Sequence, residues 1–445
     1  MKDQLQKKLS DSPAWRWTAL LLLALAMFCS YIFMDILSPI KDLMQSTRGW
    51  DSTAFGTMQG SETFLNVFVF FLIFAGIILD KMGVRFTAVL SGAVMLVGAI
   101  INWYAVTESF MGSSLENWFN NNLNYIPGFD ELGISPFYEG MPASAKFAAI
   151  GFMIFGCGVE MAGITVSRGI VKWFKGKEMA LAMGSEMALA RLGVATCMIF
   201  SPVFAKLGGD IDVSRSVAFG VVLLMIALIM FLVYFVMDKK LDAQTGEAEE
   251  KDDPFKISDI GKILRSSGFW LVALLCVLYY SAIFPFQKYA VNMLQCNLTF
   301  TEVDPNSFWA TNTVTVIQYC IMLVVAAAAF MSNFSKNVKM KYTLLAVAII
   351  SLVIFCYMGY MRQSAETVFA VFPLLAVGIT PILGNYVDHK GKAATMLILG
   401  AVLLIACHLT FAFILPMFKG NMVGGTIIAY VTILVLGASF SLVPA

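Results

Sequence analysis

The sequence has few charged residues. They make up 13% of the 445 positions, whereas 59% are apolar, and a soluble globular domain typically carries about 25% charge. The formal net charge is only +1, and no basic cluster with interleaved aromatic residues stands out, so nothing indicates a nucleic-acid partner. The scarcity of charge therefore directs attention to the apolar residues.

Residues that usually carry chemistry are also scarce. The two histidines, His389 and His408, are far apart, and the eight cysteines lie mostly in apolar runs without the spacing of metal ligands. We therefore expect no metal and no cofactor. No G-x-x-x-x-G-K-[ST] loop is present, which argues against an ATP-driven pump. No cluster of His, Ser or paired carboxylates of the kind that a membrane-embedded enzyme needs is visible. We therefore predict that the protein is not an enzyme.

Long apolar runs dominate the chain. Each is about 20 residues long, enough for a helix to cross a bilayer, and helices satisfy their backbone hydrogen bonds internally in lipid. The sequence therefore predicts an all-α integral membrane protein. The twelve runs are 17–40, 58–80, 86–106, 147–173, 180–205, 214–237, 269–293, 308–331, 342–361, 367–387, 393–415 and 423–445.

The distribution of basic residues predicts the orientation. With Lys2, Lys7, Lys8 and Arg16 in the cytoplasm, most Lys and Arg residues between the runs also fall on the cytoplasmic side, as the positive-inside rule requires. The first run is long and lacks a small-residue cleavage site, so we interpret it as a retained span rather than a signal peptide. We predict a multi-pass protein of the bacterial inner (plasma) membrane, with a cytoplasmic N-terminus.

Two polar segments separate groups of runs. The external loop at about 107–146 contains Trp118, Tyr125, Phe129 and Phe137, which favours a small cap with short helices; a solvated spacer is the alternative. The cytoplasmic segment 238–268 is rich in charge, which predicts a flexible linker that ends in an amphipathic helix at residues 257–264. We therefore predict an N-terminal bundle (1–237), the linker (238–268) and a C-terminal bundle (269–445).

A short motif occurs twice. Both copies fit Gly-x-x-x-Asp-x-x-Gly with nearby basic residues: Gly76, Asp80, Lys81, Gly83 and Arg85 in the first signature, and Gly384, Asp388, His389, Lys390 and Gly391 in the second. This pair resembles the cytoplasmic loop signature of the major facilitator superfamily. The resemblance implies two pseudo-symmetric six-helix bundles and transport by alternating access.

Each signature residue has an expected mechanical role. Asp80 ends a helix, where it can pair with Arg85 or meet the positive N-terminus of a helix from the other half. Gly76 would permit close helix packing, and Gly83 would permit the tight turn. Asp388, Lys390 and Gly391 are expected to act likewise in the second half.

The second signature follows the tenth run, whereas the superfamily places it after the eighth helix. We therefore predict that two extra helices, within about 308–361, are inserted after helix 7 and lie against lipid. The last two superfamily helices would then be absent from this chain. The alternative is a twelve-helix protein without an insertion, in which the second signature is displaced.

Further motifs resemble one branch of the superfamily, the lysosomal dipeptide transporters, in a bacterial-looking form. The matching stretches are 156–162, 172–178, 187–193 and 279–286, with Ser30, Tyr31 and Asp35 in the first run. The resemblance implies secondary active or facilitative transport of a small organic solute such as a dipeptide or an amino-acid-like zwitterion. The alternatives are proton-coupled transport of a small organic or inorganic anion, and a non-transporting receptor or scaffold. We expect a monomer in contact with membrane lipid, with protons as a candidate coupling ion.

Charged residues within the runs predict the site, because such residues normally face a cavity or a partner. Glu160 and Arg191 each lie about 20 Å into their runs, at 1.5 Å per residue. They are expected to bind the two charges of a zwitterion; a permanent ion pair between helices is the alternative. Polar residues expected to line the cavity are Tyr31, Asn66, Tyr279, Tyr280 and Gln287.

Two other groups of charges are candidate gates or coupling sites. Asp35, Glu62 and Lys288 lie at a similar depth towards the external side, where an interfacial position is the alternative interpretation. Arg168 and Glu186 lie closer to the cytoplasm, and we expect them to form either a structural pair or a gate.

Overall fold

The computed structural model describes residues 9–126, 135–245, 257–301, 303–335, 337–390 and 393–442. Within these ranges the regular structure is helical, with no strand, which confirms the all-α prediction. The helices are α1 Pro13–Met34, α2 Lys41–Arg48, α3 Ser52–Gly60, α4 Phe64–Phe68, α5 Phe71–Ala105, α6 Ser114–Asn122, α7 Ala143–Phe174, α8 Met179–Ala205, α9 Val213–Thr245, α10 Ile257–Leu264, α11 Ser267–Asn297, α12 Asn312–Ser332, α13 Val338–Met361, α14 Ala365–Lys390, α15 Ala393–Leu409 and α16 Met422–Leu442.

Ten helical segments in the described ranges are long and apolar enough to cross a membrane. The protein is therefore a multi-pass integral membrane protein. The tenth predicted run appears as α14, whose portion Ala365–Thr380 forms a shorter apolar helix. The predicted second and third runs meet in α5, which contains a kink.

The second predicted run, 58–80, is not one continuous helix. After α3, a 3₁₀ turn at Ser61–Thr63 and the short helix α4 precede α5, and Phe70 adopts a left-handed conformation with φ of 56°. Ser61 Oγ donates hydrogen bonds to the carbonyl oxygens of Met58 and Ala149. Such side-chain bonds to the backbone compete with regular helix, and hydropathy alone does not reveal them.

The kink in α5 lies at the first signature. Gly83 has φ of 79° and ψ of 167°, a conformation that is essentially restricted to glycine. The predicted tight turn at Gly83 is therefore confirmed. The expected packing role of Gly76 is not, because a Cβ built there meets no described atom within 4 Å.

Replacing Gly83 with Ala is expected to destabilise the protein by about 2 kcal/mol, since a side chain strains this backbone conformation. Thermal unfolding in detergent measures the change. Gly76→Ala is the matched control: it lies in regular helix with open space around it, so alanine should be neutral or slightly stabilising. Equal effects of the two substitutions would contradict this explanation.

The chain forms two compact units. Unit 1 comprises Met1–Phe33, Asp42–Glu186 and Gly209–Lys288. Its centre contains α5 and α7, which approach closely at Gly98 and Gly151: a Cβ at either glycine would lie within 2.7 Å of the backbone of the other helix. Glycine at both positions therefore allows the two helix backbones to touch. The predicted domain boundary in the linker 238–268 stays a prediction.

Two predicted short helices are present in unit 1. In the external loop, α6 packs an aromatic cluster in which Phe110 and Phe119 are buried, and Phe110 stacks on Phe147 at 5.5 Å between ring centroids. Phe129 lies outside the described residues. In the linker, α10 occupies the predicted residues Ile257–Leu264.

Unit 2 comprises Met34–Lys41, Met187–Gly208 and Tyr289–Ala445. Within it, α13 exposes a series of apolar side chains that includes Ile349, Ile350 and Val353, as expected of a lipid-facing helix. In α12, Tyr319 contacts Phe200 of α8 at 4.7 Å between ring centroids, and buried Gln318 donates to Thr367 Oγ1 at 3.2 Å. On its other side α12 exposes Val316, Val324 and Met331, so both helices have an exposed apolar face, and the predicted insertion stays a prediction.

Candidate functional site

One face of α7 organises the candidate site in unit 1. Phe152, Gly156 and Glu160 are spaced four residues apart, so they lie above one another on the same side of the helix. All three belong to Ala143–Phe174. The partners of Phe152 and Gly156 come from the broken second run and from α11.

Gly156 brings the 3₁₀ turn Ser61–Thr63 into direct contact with α7. A Cβ at Gly156 would lie 1.9 Å from the carbonyl oxygen of Glu62, so no larger residue fits without a backbone shift. Asn66 Nδ2 also donates to the Gly156 carbonyl at 3.2 Å. Together these contacts hold Glu62 and Asn66 against the middle of α7.

Glu62 faces Lys288 of α11. The Lys288 Nζ lies 3.9 Å from Glu62 Oε2, and each side chain is only 12% exposed. The same ammonium lies 5.8 Å from the centroid of the Phe152 ring, within the range of a cation–π interaction. Two of the three predicted external charges therefore lie together in unit 1.

The third external charge, Asp35, lies in the part of the chain assigned to unit 2. It is fully buried, and Ser38 Oγ lies 3.5 Å from its Oδ1. A shared role with Glu62 and Lys288 stays a prediction.

Glu160 lies near the middle of α7, about 26 Å from Ala143 and about 21 Å from Phe174 at 1.5 Å per residue. Its side chain is half-buried. Within the described ranges, no hydrogen bond or ion pair is made by its carboxylate. A charge at this depth is costly, which marks it as a functional candidate.

Arg191 lies in the middle of α8, about 18 Å from Met179 and about 21 Å from Ala205 by helical rise. It is 6% exposed, and its guanidinium carbon lies 4.0 Å from the centroid of the Phe440 ring within unit 2. The ring therefore supports the flat face of the guanidinium, an arrangement that arginine favours. Glu160 and Arg191 belong to different units, so their joint site stays a prediction.

The predicted cavity-lining aromatic residues have partners of their own. Tyr279 is buried and meets Tyr280 edge to face at 5.7 Å, and Tyr280 stacks on Phe284 at 5.1 Å. Gln287 is buried and Tyr31 is half-buried. Packing accounts for part of the aromatic pattern, and a role for these residues in solute binding stays a prediction.

The first signature takes part in a charge network different from the expected one. Asp80 forms an ion pair with Arg168 of α7 rather than with Arg85. Arg85 instead pairs with Asp242 of α9 at 3.0 Å. The tight turn at Gly83 separates Asp80 from Arg85 and leaves each with a partner on another helix. In the second signature, side chains 384–390 and residues 391–392, including Gly391, lie outside the described part of the structure.

Asp238 is the centre of this network and was missed by the sequence analysis, which assigned it to the linker. It is fully buried and accepts hydrogen bonds from Lys172 Nζ at 2.6 Å, Trp173 Nε1 at 2.8 Å and Tyr234 Oη at 3.3 Å. The available signal was Asp238 and Asp242 at i,i+4 spacing on one face of a continuing helix.

Replacing Asp238 with Asn is expected to destabilise the protein by about 3 kcal/mol, because it removes the buried carboxylate that accepts from Lys172, Trp173 and Tyr234 and leaves Lys172 paired with Asp242 alone. Thermal unfolding measures the change. Asp210→Asn provides the control, since Asp210 forms an exposed ion pair with Arg215 and such pairs contribute little. Equal stability of the Asp238 and Asp210 variants would contradict the proposed importance of the network.

Comparison with known proteins gives the family. The family described as Major Facilitator Superfamily matches residues 23–366. The lysosomal dipeptide transporter MFSD1 of Danio rerio is 26% identical over 270 residues, covering 58% of this chain and 50% of that protein. The Homo sapiens protein of the same name is 23% identical over 282 residues, covering 61% and 52%. The chain thus spans about half the length of these curated relatives.

A solved structure supports the same fold. A partially occluded inward-open conformation of the xylose transporter XylE from E. coli aligns with a TM-score of 0.50 at 12% identity, covering 96% of this chain and 82% of that one. At this identity the likeness concerns the fold alone. The family matches point to a membrane transporter rather than an enzyme, and the chain belongs to the Major Facilitator Superfamily.

Proposed function

We propose that this protein moves a small organic solute across the membrane by alternating access, and that Glu160 binds the cationic group of the solute. The observation that carries this proposal is a carboxylate in the middle of α7 with no ion-pair partner among the described residues. A solute ammonium would compensate the charge that is costly to keep within a membrane span.

The proposed solute is a dipeptide or a related zwitterion. Its ammonium would bind Glu160, and its carboxylate would bind Arg191, whose planar guanidinium suits carboxylate recognition. Supporting this choice, the curated relatives are named as dipeptide transporters. Asn66 would contribute an amide next to Glu160, since it is already held at the Gly156 carbonyl.

The remaining charges are proposed to control access. The pair Glu62–Lys288 would close the external side, and the pair Asp80–Arg168 would stabilise one state at the signature turn. The proposed orientation has the N-terminus and both signatures in the cytoplasm of a bacterial cell, because Lys and Arg are enriched on those segments.

A second candidate is proton-coupled transport of a small anion. The observation that favours it is the nearly buried pair of Lys288 and Glu62, whose atoms at 3.9 Å are too far apart for a strong hydrogen bond. Bound anion would compete with Glu62 for Lys288. Measuring proton uptake together with solute uptake in liposomes separates the two candidates, because facilitated dipeptide movement requires no net proton flux.

The substrate class is tested by thermal unfolding of the purified protein with dipeptides, amino acids, sugars and nitrate. A true ligand at 100 times its dissociation constant should stabilise the folded state by about 2.7 kcal/mol. We expect dipeptides to raise the unfolding temperature, and uptake of the same dipeptides into liposomes to exceed that of protein-free vesicles. Stabilisation by nitrate alone would favour the anion candidate, and binding without flux would indicate a receptor.

A further inference from the structure

The segment that joins α10 to α11 is held at the end of a membrane span. Only Arg265 and Ser266 separate Leu264, the last residue of α10, from Ser267, the first of α11. The indole Nε1 of Trp270, in the first turn of α11, donates to the Leu264 carbonyl at 2.8 Å. Because the three Cα steps from Leu264 to Ser267 extend at most about 11 Å, the C-terminal end of α10 lies close to the point where α11 enters the bilayer.

This segment exposes an apolar surface. Every residue from 261 to 271 is exposed, including Ile263, Leu264, Trp270 and Leu271 at 47%, 48%, 55% and 70%. The sequence of this segment also has apolar residues at helical spacing, which predicts an amphipathic helix. Since α11 is a candidate membrane span, the surface continues directly into the lipid-facing part of the protein. Lipid is therefore the occupant that fits it.

Two basic residues lie beside this apolar surface. Lys262 and Arg265 are both exposed, and their long side chains can rest on apolar surface while the charged ends reach the headgroups. Tryptophan prefers the same interfacial level, which agrees with the position of Trp270. Attraction between one basic residue and an anionic leaflet contributes about 1 kcal/mol to the binding free energy, which corresponds to about fivefold in the binding constant.

We propose that α10 is an interfacial helix that binds anionic phospholipid headgroups through Lys262 and Arg265. The apolar residues set the depth of the helix, and the two cations select the headgroup charge. Headgroup binding at α10 is independent of which solute the protein carries. Such binding would make the stability of the α10 helix depend on the lipid composition of the membrane.

The test is hydrogen exchange of the full chain in lipid nanodiscs. We expect the amides of α10 to exchange at least tenfold more slowly in discs that contain phosphatidylglycerol than in pure phosphatidylcholine, since two cations together contribute about 25-fold. The difference should shrink in 1 M salt, where the Debye length falls to about 3 Å.

Variants separate headgroup binding from packing. The double variant Lys262→Gln/Arg265→Gln should lose the dependence on phosphatidylglycerol, whereas Lys262→Arg/Arg265→Lys should keep it. Lys419→Gln, at an exposed lysine after α15, should behave as the wild type. Equal exchange in both lipids, or an undiminished lipid effect in the double glutamine variant with an unchanged unfolding temperature, would overturn the proposal.

Discussion

Replacing Glu160 with Gln is expected to lower the initial rate of dipeptide uptake into liposomes by about 100-fold. The substitution keeps the size of the side chain and removes its charge, so the solute ammonium loses its proposed partner. Removal of one member of a buried charge pair costs about 2–5 kcal/mol, and about 1.4 kcal/mol corresponds to a factor of ten. Glu160 has no other ion-pair partner among the described residues, so the substitution should not unfold the protein.

The matched control is Glu139→Gln. Glu139 is exposed in the external loop, and removal of its charge should leave uptake unchanged. Both variants should retain the wild-type unfolding temperature in the absence of solute, and only Glu160→Gln should lose the stabilisation by dipeptide. If folded Glu160→Gln protein takes up dipeptide at the wild-type rate, the central carboxylate does not bind the solute.

Reversing the charge of Lys288 is expected to lower uptake by at least tenfold. Lys288→Glu would place a second carboxylate close to Glu62, in a site where each wild-type side chain is only 12% exposed. Like charges at this separation repel strongly when water is largely excluded. The double variant Glu62→Lys/Lys288→Glu restores an opposite-charge pair and should recover much of the loss. Close charge pairs in proteins show coupling energies of about 1.5 kcal/mol or more, which corresponds to about tenfold.

Lys206→Glu is the control for this series, because Lys206 is exposed at the end of α8. Comparison of uptake with unfolding temperature then separates a gate from a structural contact. A structural contact predicts that the exchanged pair restores stability and uptake together, in proportion. A gate predicts that Lys288→Glu loses uptake even where its unfolding temperature is unchanged. Normal uptake by Lys288→Glu would eliminate both roles.

Much of the fold could be predicted from hydropathy, because a membrane helix must be apolar along most of its length. The short helix at Ile257–Leu264 could be predicted too, since its pattern is local. The break between α3 and α5 could not, because it depends on Ser61 and Asn66 bonding to the backbone of α7. Those contacts join residues about 90 positions apart.

Part of the candidate site could be predicted because a charged residue within an apolar run is energetically unfavourable and therefore conspicuous in the sequence. Glu62 and Lys288 stood out for that reason, and they lie together in unit 1. The partner of Asp80 was mispredicted because Arg85 is nearer in sequence, whereas Arg168 is nearer in the fold. Asp238 was missed because hydropathy falls at this end of α9, which suggested that the span had ended. In the structure Asp238 is nevertheless buried and accepts hydrogen bonds from Lys172, Trp173 and Tyr234.

The left-handed residue Phe70 has a mechanical consequence. Because α4 ends at Phe68 and α5 begins at Phe71, the second predicted run is divided at Phe70 into two helical arms. Gly156 allows the arm that carries Glu62 to pack directly against α7, and the other arm is joined to α7 through the Asp80–Arg168 ion pair. We expect that opening of this ion pair would let the second arm tilt about Phe70 while the first stays packed on α7, so the two ends of this run could switch at different moments of a transport cycle.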